Sequence, residues 1–527
     1  MQVLYQLSYS PRCVAASPRS WRLRKHYTDP GAFRQIHSRA RRGLLSAGAN
    51  GYCRRSELTH HRALQSTTGH DREPQAVTAP PPTAGRRRPL AAARGYAARR
   101  ATPLAVVACL ASFTAFWVAQ RAAHVSMIDL MVYRAEGWTV RTGQDLYAMV
   151  ATHADLPTTY PPFAALLFEP LTWIGVPAVR TTATVVNLGL LLVVVDLSLR
   201  LIGRPQHVPR TAATFAVAAV AVWCEPVWTT LRYGQINLLL AVLVLWDLTR
   251  RSGHRWAGTG IGVAAGIKLT PALFAVFLAL VGAAQAWRSL RTGQGALWNT
   301  ALRRASVAAA AFAGTAAVAA LTLPRDSHAF WTRMVFAANR VGRAEDTANQ
   351  SVRGVLARLL HTTDPGRSWL LTAAVVGVLG LAVAVAAAVA GDRLPSARAW
   401  AACACAATAL LVSPVSWSHH WVWCVPMVLL LASEALRRRS AVWRAGAVAS
   451  GLLFCSYVLW LVPHAPGRPE LHQNVGQMAL SAAYPLAGIA FLAVAGVQAL
   501  RALRTPYAGP AILGQTRTEQ AGFARVP

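Results

Sequence analysis

Apolar residues dominate the chain from Leu104 to Leu500, in recurring runs of about 18 or more residues that short polar segments separate. A run of this length can cross the hydrocarbon core of a bilayer as an α-helix. The apolar segments fall at about 104–123, 180–199, 211–229, 235–249, 257–268, 270–287, 305–323, 369–391, 399–415, 420–436, 443–462 and 475–500. The pattern predicts an all-α polytopic membrane protein with about 11–13 transmembrane helices.

Two apolar segments are harder to assign to ordinary spans. The stretch 159–177 begins with Tyr160-Pro161-Pro162 and is interrupted at Glu169-Pro170, which favours a re-entrant or interfacial segment. An ordinary span there remains the alternative, although it would place the arginines of 200–210 on the outer side. The stretch 257–268 is short for a full span, so a turn at Lys268 predicts a broken helix.

The composition supports the membrane class. Of the 527 residues, 54% are hydrophobic and 14% are charged, whereas soluble domains carry about 25% charged residues. This balance excludes a soluble enzyme of this length. The cysteines of the membrane portion lie in or at the ends of apolar segments, where they behave as small hydrophobic residues and predict no disulfide framework.

The positive charge defines the predicted topology. The formal net charge is +33, and beyond the N-terminal region the arginines cluster in short loops between apolar segments. Positive residues so placed mark the cytoplasmic side and argue against nucleic-acid binding. We expect a basic, disordered cytoplasmic extension at 1–103, a transmembrane domain at 104–503 and a cytoplasmic tail at 504–527. The predicted location is the inner (plasma) membrane of the cell, with the N-terminus in the cytoplasm.

Five polar segments fall on the opposite, outer side in this topology. They are Asp129–Leu156, the turn Arg232–Asn237, the turn at Lys268, the long loop 324–368 and the stretch Ser413–Trp423. Their shared side predicts one outward-facing, extracytoplasmic site.

Asp129 is the first candidate for chemistry, because it closely follows the first predicted span in an apolar setting. Such surroundings raise the pKa of a carboxyl group and suit it to act as a general base. The alternative is a simple helix cap. Glu136 and Asp145 are the next candidates in the same segment.

Lys268 is the only lysine of the membrane portion, and its ammonium group at a helix break suits an anionic partner such as a phosphate. Snorkelling to the interface is the alternative. His419 and His420 lie between tryptophans at a predicted membrane edge. Adjacent histidines on a helix diverge by about 100°, so phosphate contact or acceptor positioning is favoured over joint metal binding, and an aromatic belt with incidental histidines is the alternative.

The long outer loop carries the string Asn349-Gln350-Ser351-Val352-Arg353. Long loops in compact proteins are often binding loops. Tyr160 is one of several aromatic residues that can stack on sugar faces, although each alone is more typical of an interface aromatic.

Seven motifs, taken in order, resemble glycosyltransferase family 87. They are Asp129-Leu130-Met131-Val132-Tyr133, Gly143-Gln144-Asp145-Leu146-Tyr147, Thr159-Tyr160-Pro161-Pro162-Phe163, Gly234-Gln235-Ile236-Asn237, Gly266-Ile267-Lys268-Leu269-Thr270-Pro271, Asn349-Gln350-Ser351 and Ser413-Pro414-Val415-Ser416-Trp417-Ser418-His419-His420. The family comprises actinobacterial α-1,2-mannosyltransferases of the C-type membrane fold, including the phosphatidylinositol mannoside and lipoarabinomannan enzymes. The resemblance covers roughly 105–500.

The resemblance implies an inverting transfer of mannose from a polyprenyl phosphate donor to a hydroxyl of a glycan or mannolipid acceptor. It implies Asp129 as the catalytic base, and Lys268, His419 and His420 as contacts of the donor phosphate or the acceptor. Further candidates for donor phosphate or acceptor binding are Arg232, Arg353, Tyr160, Gln235, Asn237 and Asn349. We expect no metal and no cofactor, because side-chain cations can stabilise a lipid monophosphate leaving group.

Two other functions fit parts of the pattern. About twelve spans with a broken helix also suit a secondary transporter of a small anionic or sugar substrate. A transporter should place its polar residues near the middle of the membrane, whereas these cluster at one face. A non-catalytic lipid-binding subunit is the other alternative, and it would tolerate loss of Asp129.

Overall fold

The computed structural model describes residues 87–205, 208–251, 253–464 and 467–505, with side chains from Arg100 onward. The predicted C-terminal tail, apart from 504 and 505, and most of the predicted N-terminal extension lie outside the described residues. Within the described part almost all regular structure is helical, and one short hairpin pairs β1 (Val150–Ala151) with β2 (Leu156–Pro157).

The helices run in the following order. The first half holds α1 (Arg87–Ala122), α2 (Ile128–Arg141), α3 (Pro162–Phe168), α4 (Val176–Ile202), α5 (Arg210–Ala221), α6 (Glu225–Tyr233), α7 (Asn237–Thr249), α8 (Thr259–Ile267) and α9 (Ala272–Arg291). The second half holds α10 (Thr300–Thr322), α11 (Pro324–Thr332), α12 (Val352–Leu359), α13 (Gly366–Ala390), α14 (Ala397–Val412), α15 (Cys424–Arg438), α16 (Ala441–Cys455), α17 (Val475–Ser481) and α18 (Ala483–Arg504). A 3₁₀ turn at Ser418–Trp423 leads into α15.

The prediction of an all-α polytopic membrane protein is confirmed. Among the described residues, seven helices are long and apolar enough to cross a membrane: α1, α4, α9, α10, α13, α15 with the turn before it, and α18. The pair α5–α6 passes the same test together, although it bends by 78°. The predicted runs at 235–249, 399–415 and 443–462 form the shorter apolar helices α7, α14 and α16.

Three segments are interrupted in the structure. The stretch 159–177 forms α3 and a 3₁₀ turn at Glu169–Thr172, each too short to span a bilayer. The helix break expected near Lys268 is present, because Lys268 adopts an extended backbone between α8 and α9. The run at 475–500, predicted as one helix, is instead divided between α17 and α18.

Pro485 and Gln350 explain the break between α17 and α18. Pro485 has no N–H, so the carbonyl of Ser481 loses the partner that a continuous helix would provide. The Gln350 side chain replaces it: Nε2 donates to Ser481 O at 2.7 Å, and Oε1 accepts from the Tyr484 N–H at 3.3 Å. Buried Arg358 also donates to Ser481 O at 3.0 Å. A remote loop therefore satisfies the backbone groups that the break exposes.

Helices α8 and α10 approach each other closely through glycines. Gly262 and Gly266 are four residues apart on α8, and a Cβ at Gly262 would overlap the carbonyl oxygen of Ala308. A Cβ at Gly266 would meet Thr315 of the same helix α10. Small residues with this spacing let membrane helices pack backbone to backbone. The contact fixes the position of Lys268, which follows α8 directly.

We expect Gly262→Ala to destabilise the protein by about 1–3 kcal/mol, the usual cost of overpacking. The added methyl group must push α8 away from α10, because the atom it meets belongs to the backbone. The thermal midpoint of the detergent-purified protein measures this effect. Gly314→Ala on α10 is the matched control, because a Cβ there meets nothing within 4 Å. Equal midpoints for the two variants would contradict the prediction.

Candidate active site

A cavity of about 1260 Å³ lies among the polar segments. Residues from all five segments line it, including Asp129, Arg232, Gln235, Lys268, Arg340, Asp346, Trp417, His419 and His420. Segments that are remote in the sequence therefore meet at one site.

Asp129 lies in the first turn of α2, where the partial positive charge of a helix N-terminus favours an acidic residue. Gln235 Nε2 donates to Asp129 Oδ2 at 2.7 Å. The other end of the amide, Gln235 Oε1, accepts from the Tyr133 hydroxyl at 2.7 Å. Tyr133 thereby fixes the orientation of Gln235, which in turn holds one oxygen of the carboxylate.

The surroundings of Asp129 favour a proton acceptor near neutral pH. Helix α2 is not among the spanning helices, and burial raises the pKa of the Asp129 carboxyl group to about 6. The hydrogen bond from Gln235 and the positive charge of Lys268 lower this pKa, but desolvation dominates. A carboxylate with such a pKa is ionised at neutral pH and is a stronger base than an ordinary aspartate.

The other two candidate carboxylates of the segment, Glu136 and Asp145, do not line the cavity. Asp145 Oδ1 accepts from the backbone N–H groups of Tyr147 and Ala148, at 2.8 and 3.1 Å, and so caps a turn. Glu136 is fully buried, and burial raises the pKa of its carboxyl group to about 8. Of the three predicted candidates, Asp129 alone faces the cavity.

Tyr160 connects Asp129 and its partners to the neighbourhood of Lys268. Its hydroxyl lies 2.9 Å from that of Tyr133 and donates to Gln235 Oε1 at 3.4 Å. Lys268 Nζ lies 5.6 Å from the centre of the Tyr160 ring. Tyr147 donates to the backbone carbonyl of Tyr160 at 2.9 Å and fixes the chain there. The predicted base and the predicted cation are therefore both connected to Tyr160, Asp129 through Gln235 and Lys268 through the aromatic ring.

Lys268 contacts one of the two histidines. Its Nζ lies 2.9 Å from Nε2 of His420 and 3.4 Å from Oδ1 of Asn237. His420 is oriented by the Trp417 N–H, which donates to Nδ1 at 3.2 Å. His419 instead packs edge-on against the Tyr233 ring, and its buried Nε2 has no hydrogen-bond partner among the described residues. The two histidines thus have different surroundings.

Asn237 links the histidine turn to Lys268. Its Nδ2 donates to the backbone carbonyl of His419 at 3.0 Å, while its Oδ1 faces the lysine. Thr230 donates to the same carbonyl at 2.9 Å. These contacts hold the turn against α6 and α7.

Three predicted binding residues lie outside the cavity lining, namely Asn237, described above, Asn349 and Arg353. Asn349 is fully buried: its Nδ2 donates to Ala344 O and its Oδ1 accepts from the Ser416 N–H, both at 3.0 Å. Arg353 lies 3.8 Å from Asp364 and over the ring of Trp369. The structure therefore gives Asn349 a role in joining the long loop to the histidine turn.

Two residues that the sequence analysis did not single out contribute to the site. Arg340 lines the cavity and donates to the carbonyls of Tyr147 and Thr158. Glu225 is fully buried behind the site, and its Oε1 accepts from Thr229, Ser418 and Trp460 while its Oε2 accepts from Tyr484. Glu225 could have been found from the sequence, because an acidic residue within an apolar run usually has a functional or structural role.

We expect Glu225→Ala to lower both the stability of the protein and its activity, because it leaves several buried donors unpaired at about 1–3 kcal/mol each. Ser418 precedes the histidines directly, so its release disturbs their position. In Glu225→Gln the amide oxygen can still accept from the donors that bond to Oε1 in the wild type. This variant should therefore retain most of the activity. Thermal midpoints and turnover of the two variants measure these effects. Equal loss in both would contradict a role based on shape and hydrogen bonding.

The arrangement suits the transfer of a group to a hydroxyl. Asp129 can remove a proton from the attacking hydroxyl, and Lys268 can stabilise negative charge on a departing group. Among the described residues, no three His, Cys, Asp or Glu side chains are placed to hold a metal ion. Independence from metal remains a prediction.

The fold and the site are those of a polytopic helical membrane protein in which a carboxylate and an ammonium group, Asp129 and Lys268, line one cavity. The model of glycosyltransferase family 87 matches residues 159–414. A polyprenol-phosphate-mannose-dependent α-(1-2)-phosphatidylinositol mannoside mannosyltransferase of Mycolicibacterium smegmatis is 35% identical over 344 residues, which are 62% of this chain and 74% of that protein. The chain belongs to glycosyltransferase family 87, as its motifs predict.

Two further proteins are similar to the chain. A pentamannoside mannosyltransferase of Mycobacterium tuberculosis, also named as polyprenol-phosphate-mannose-dependent and α-(1-2)-specific, is 32% identical over 393 residues, or 73% of this chain and 81% of that protein. The crystal structure of ArnT from Cupriavidus metallidurans bound to undecaprenyl phosphate is 13% identical with a TM-score of 0.37, over 76% of this chain and 77% of that one. Membership of glycosyltransferase family 87 favours a transferase over a transporter.

Proposed function

We propose that the protein transfers mannose from a polyprenyl phosphate donor to a hydroxyl group of a glycan or mannolipid acceptor, with inversion to an α-1,2 linkage. The named activities of the two mycobacterial relatives support the donor and the linkage. The observation that carries the proposal is that Asp129 and Lys268 line the same cavity, where Lys268 faces the Tyr160 ring and Gln235 joins Asp129 to the Tyr160 hydroxyl.

In the proposed reaction, the acceptor oxygen attacks the anomeric carbon while Asp129 takes its proton. The bond between the anomeric carbon and the phosphate oxygen breaks on the opposite face, and its electron pair stays on the polyprenyl phosphate. Lys268 stabilises this developing charge, with His420 and Asn237 holding the ammonium group in place. Arg232 and Arg340 add positive charge to the cavity lining.

We further propose that the site faces the extracytoplasmic side of the plasma membrane. The arginine clusters between the apolar segments support this orientation, because they fall at the opposite ends of the helices. A donor with a polyprenyl chain suits such a site, since its tail can stay in the bilayer during transfer.

Membranes containing the protein, given radiolabelled polyprenyl-phosphate mannose and a mannolipid mixture, test the proposal. We expect labelled mannolipid, and an α-mannosidase should release the label from it. We expect no labelled mannolipid when a nucleotide-activated mannose replaces the polyprenyl donor, provided that conversion of the nucleotide sugar to the lipid-linked form is blocked. Transfer from the nucleotide sugar alone would refute the proposed donor. Uptake of free mannose into sealed vesicles without any transfer would instead support the transporter.

The rate of transfer should fall on the acid side with a midpoint near pH 6. Asp129 must be ionised to accept a proton, so protonation below its pKa of about 6 removes the base. Gln235→Leu provides the matched comparison. Its hydrogen bond lowers the pKa of Asp129, so its loss should move the midpoint to higher pH. A midpoint that moves to lower pH in this variant would contradict the assignment.

A further inference from the structure

Three cysteine thiols from different helices lie together behind the cavity. Cys224 immediately precedes α6, Cys424 begins α15 and Cys455 ends α16. The Sγ atoms of Cys224 and Cys455 are 3.1 Å apart, and Cys424 lies close enough to Cys224 for the two thiols to interact. A disulfide bond is about 2.05 Å long. The Sγ atoms of Cys224 and Cys455 would therefore have to approach each other by only about 1 Å to form one.

We propose that Cys224 and Cys455 form a disulfide bond, a redox modification site that joins the start of α6 to the end of α16. Both side chains are partly exposed, whereas Cys424 is buried. Cys224 and Cys455 are therefore the pair that an oxidant reaches. The sequence alone predicts no such link, because the two residues are 231 positions apart.

The surroundings of the pair support this assignment. Helix α5, which leads to Cys224, starts at Arg210, and helix α16 follows the basic cluster Arg437-Arg438-Arg439. Both cysteines thus lie at the helix ends opposite the basic loops. In the proposed topology this is the extracytoplasmic side, where disulfides form and persist.

The oxidant is a disulfide of the thiol–disulfide exchange class. The Cys224 thiolate attacks one sulfur of that disulfide, which gives a mixed disulfide and releases one thiolate. The Cys455 thiolate then attacks the Cys224 sulfur and releases the second. The oxidant gains two electrons, and the two protons lost by the cysteines end on the two released thiols.

The link would brace the residues that position the histidines. Cys224 is bonded directly to Glu225, which accepts the hydrogen bond from Ser418 at 2.8 Å. The segments that flank the two cysteines already touch, because the Tyr457 hydroxyl donates to the Trp223 carbonyl at 3.3 Å. A covalent bond at this point would hold the start of α6, and with it Glu225, against α16.

Thiol trapping tests the proposal on the full-length protein in its own membranes. Cells are quenched with N-ethylmaleimide in SDS, so that every free thiol reacts. The protein is then reduced and labelled with a maleimide of different mass before proteolysis and mass spectrometry. We expect the second label on Cys224 and Cys455 and the first label on Cys424.

Two variants make the pairing specific. In Cys424→Ser, Cys224 and Cys455 should still carry the second label. In Cys455→Ser, Cys224 has lost its partner and should carry the first label, N-ethylmaleimide. The first label on both Cys224 and Cys455 in the wild type would overturn the proposal. A link between Cys224 and Cys424 would overturn it as well, and the Cys455→Ser variant detects that pairing because Cys224 would then keep the second label.

Discussion

Asp129→Asn is expected to lower the rate of mannose transfer by about 10²–10⁴-fold, the usual contribution of a general base. Asparagine nearly matches aspartate in shape and can still accept the hydrogen bond that Gln235 donates at 2.7 Å. It cannot take a proton from the acceptor hydroxyl. The loss should therefore appear in turnover at saturating donor and acceptor, with little change in the amount of folded protein. Label transfer by membranes of equal protein content is the measurement.

Asp145→Asn makes the assignment of the base specific. Asp145 caps a turn away from the cavity lining, so this variant should retain far more transfer than Asp129→Asn. Full activity in Asp129→Asn would refute the proposed base and would also support a non-catalytic role for the segment. Loss in Asp145→Asn alone would identify that residue as the base.

Lys268→Gln should lower transfer by about 10²–10³-fold, the effect typical of removing one charge-stabilising donor from an active site. The glutamine side chain is uncharged, so it cannot stabilise the phosphate that departs with the electron pair. Because the phosphate of the intact donor is also negatively charged, the KM for the donor should rise as well. Initial rates over a range of donor concentrations separate the two effects.

Arg291→Gln is the control for lost positive charge, since Arg291 is exposed at the end of α9 and does not line the cavity. We expect it to leave the rates unchanged. Lys268→Arg adds a second comparison: it keeps the charge but changes the shape that His420 and Asn237 hold, so partial activity is expected. Wild-type rates in Lys268→Gln would remove the lysine from the proposed mechanism.

The sequence predicted that the polar segments meet at one site, because membrane topology depends on features that are local in the chain. Apolar runs and arginine clusters can be read directly, and together they place Asp129, Lys268 and the histidines on one side. Each of these residues lies at a helix end or a break, where its position follows from the chain direction. The cavity in the structure brings the same residues together.

The direction of individual side chains could not be read in this way. Asn349 and Arg353 have the residue types of a binding loop, yet neither lines the cavity, and each has partners elsewhere. Glu225 depends on Tyr484, which is 259 positions away, and no local pattern links them. The break between α17 and α18 was also missed, because the run stays apolar and its cause is a proline together with a remote glutamine.

Gln350 has a consequence for how substrates reach the cavity. Its side chain occupies both backbone groups at the break before α18, and Arg358 donates to the carbonyls of Asp346 and Asn349 in the same loop. Swinging this loop outward would leave a carbonyl and an N–H without partners in apolar surroundings, at about 2–7 kcal/mol for each group. The part of the loop around Gln350 and Arg358 is therefore held in place, and we expect donor and acceptor to enter and leave through the other sides of the cavity.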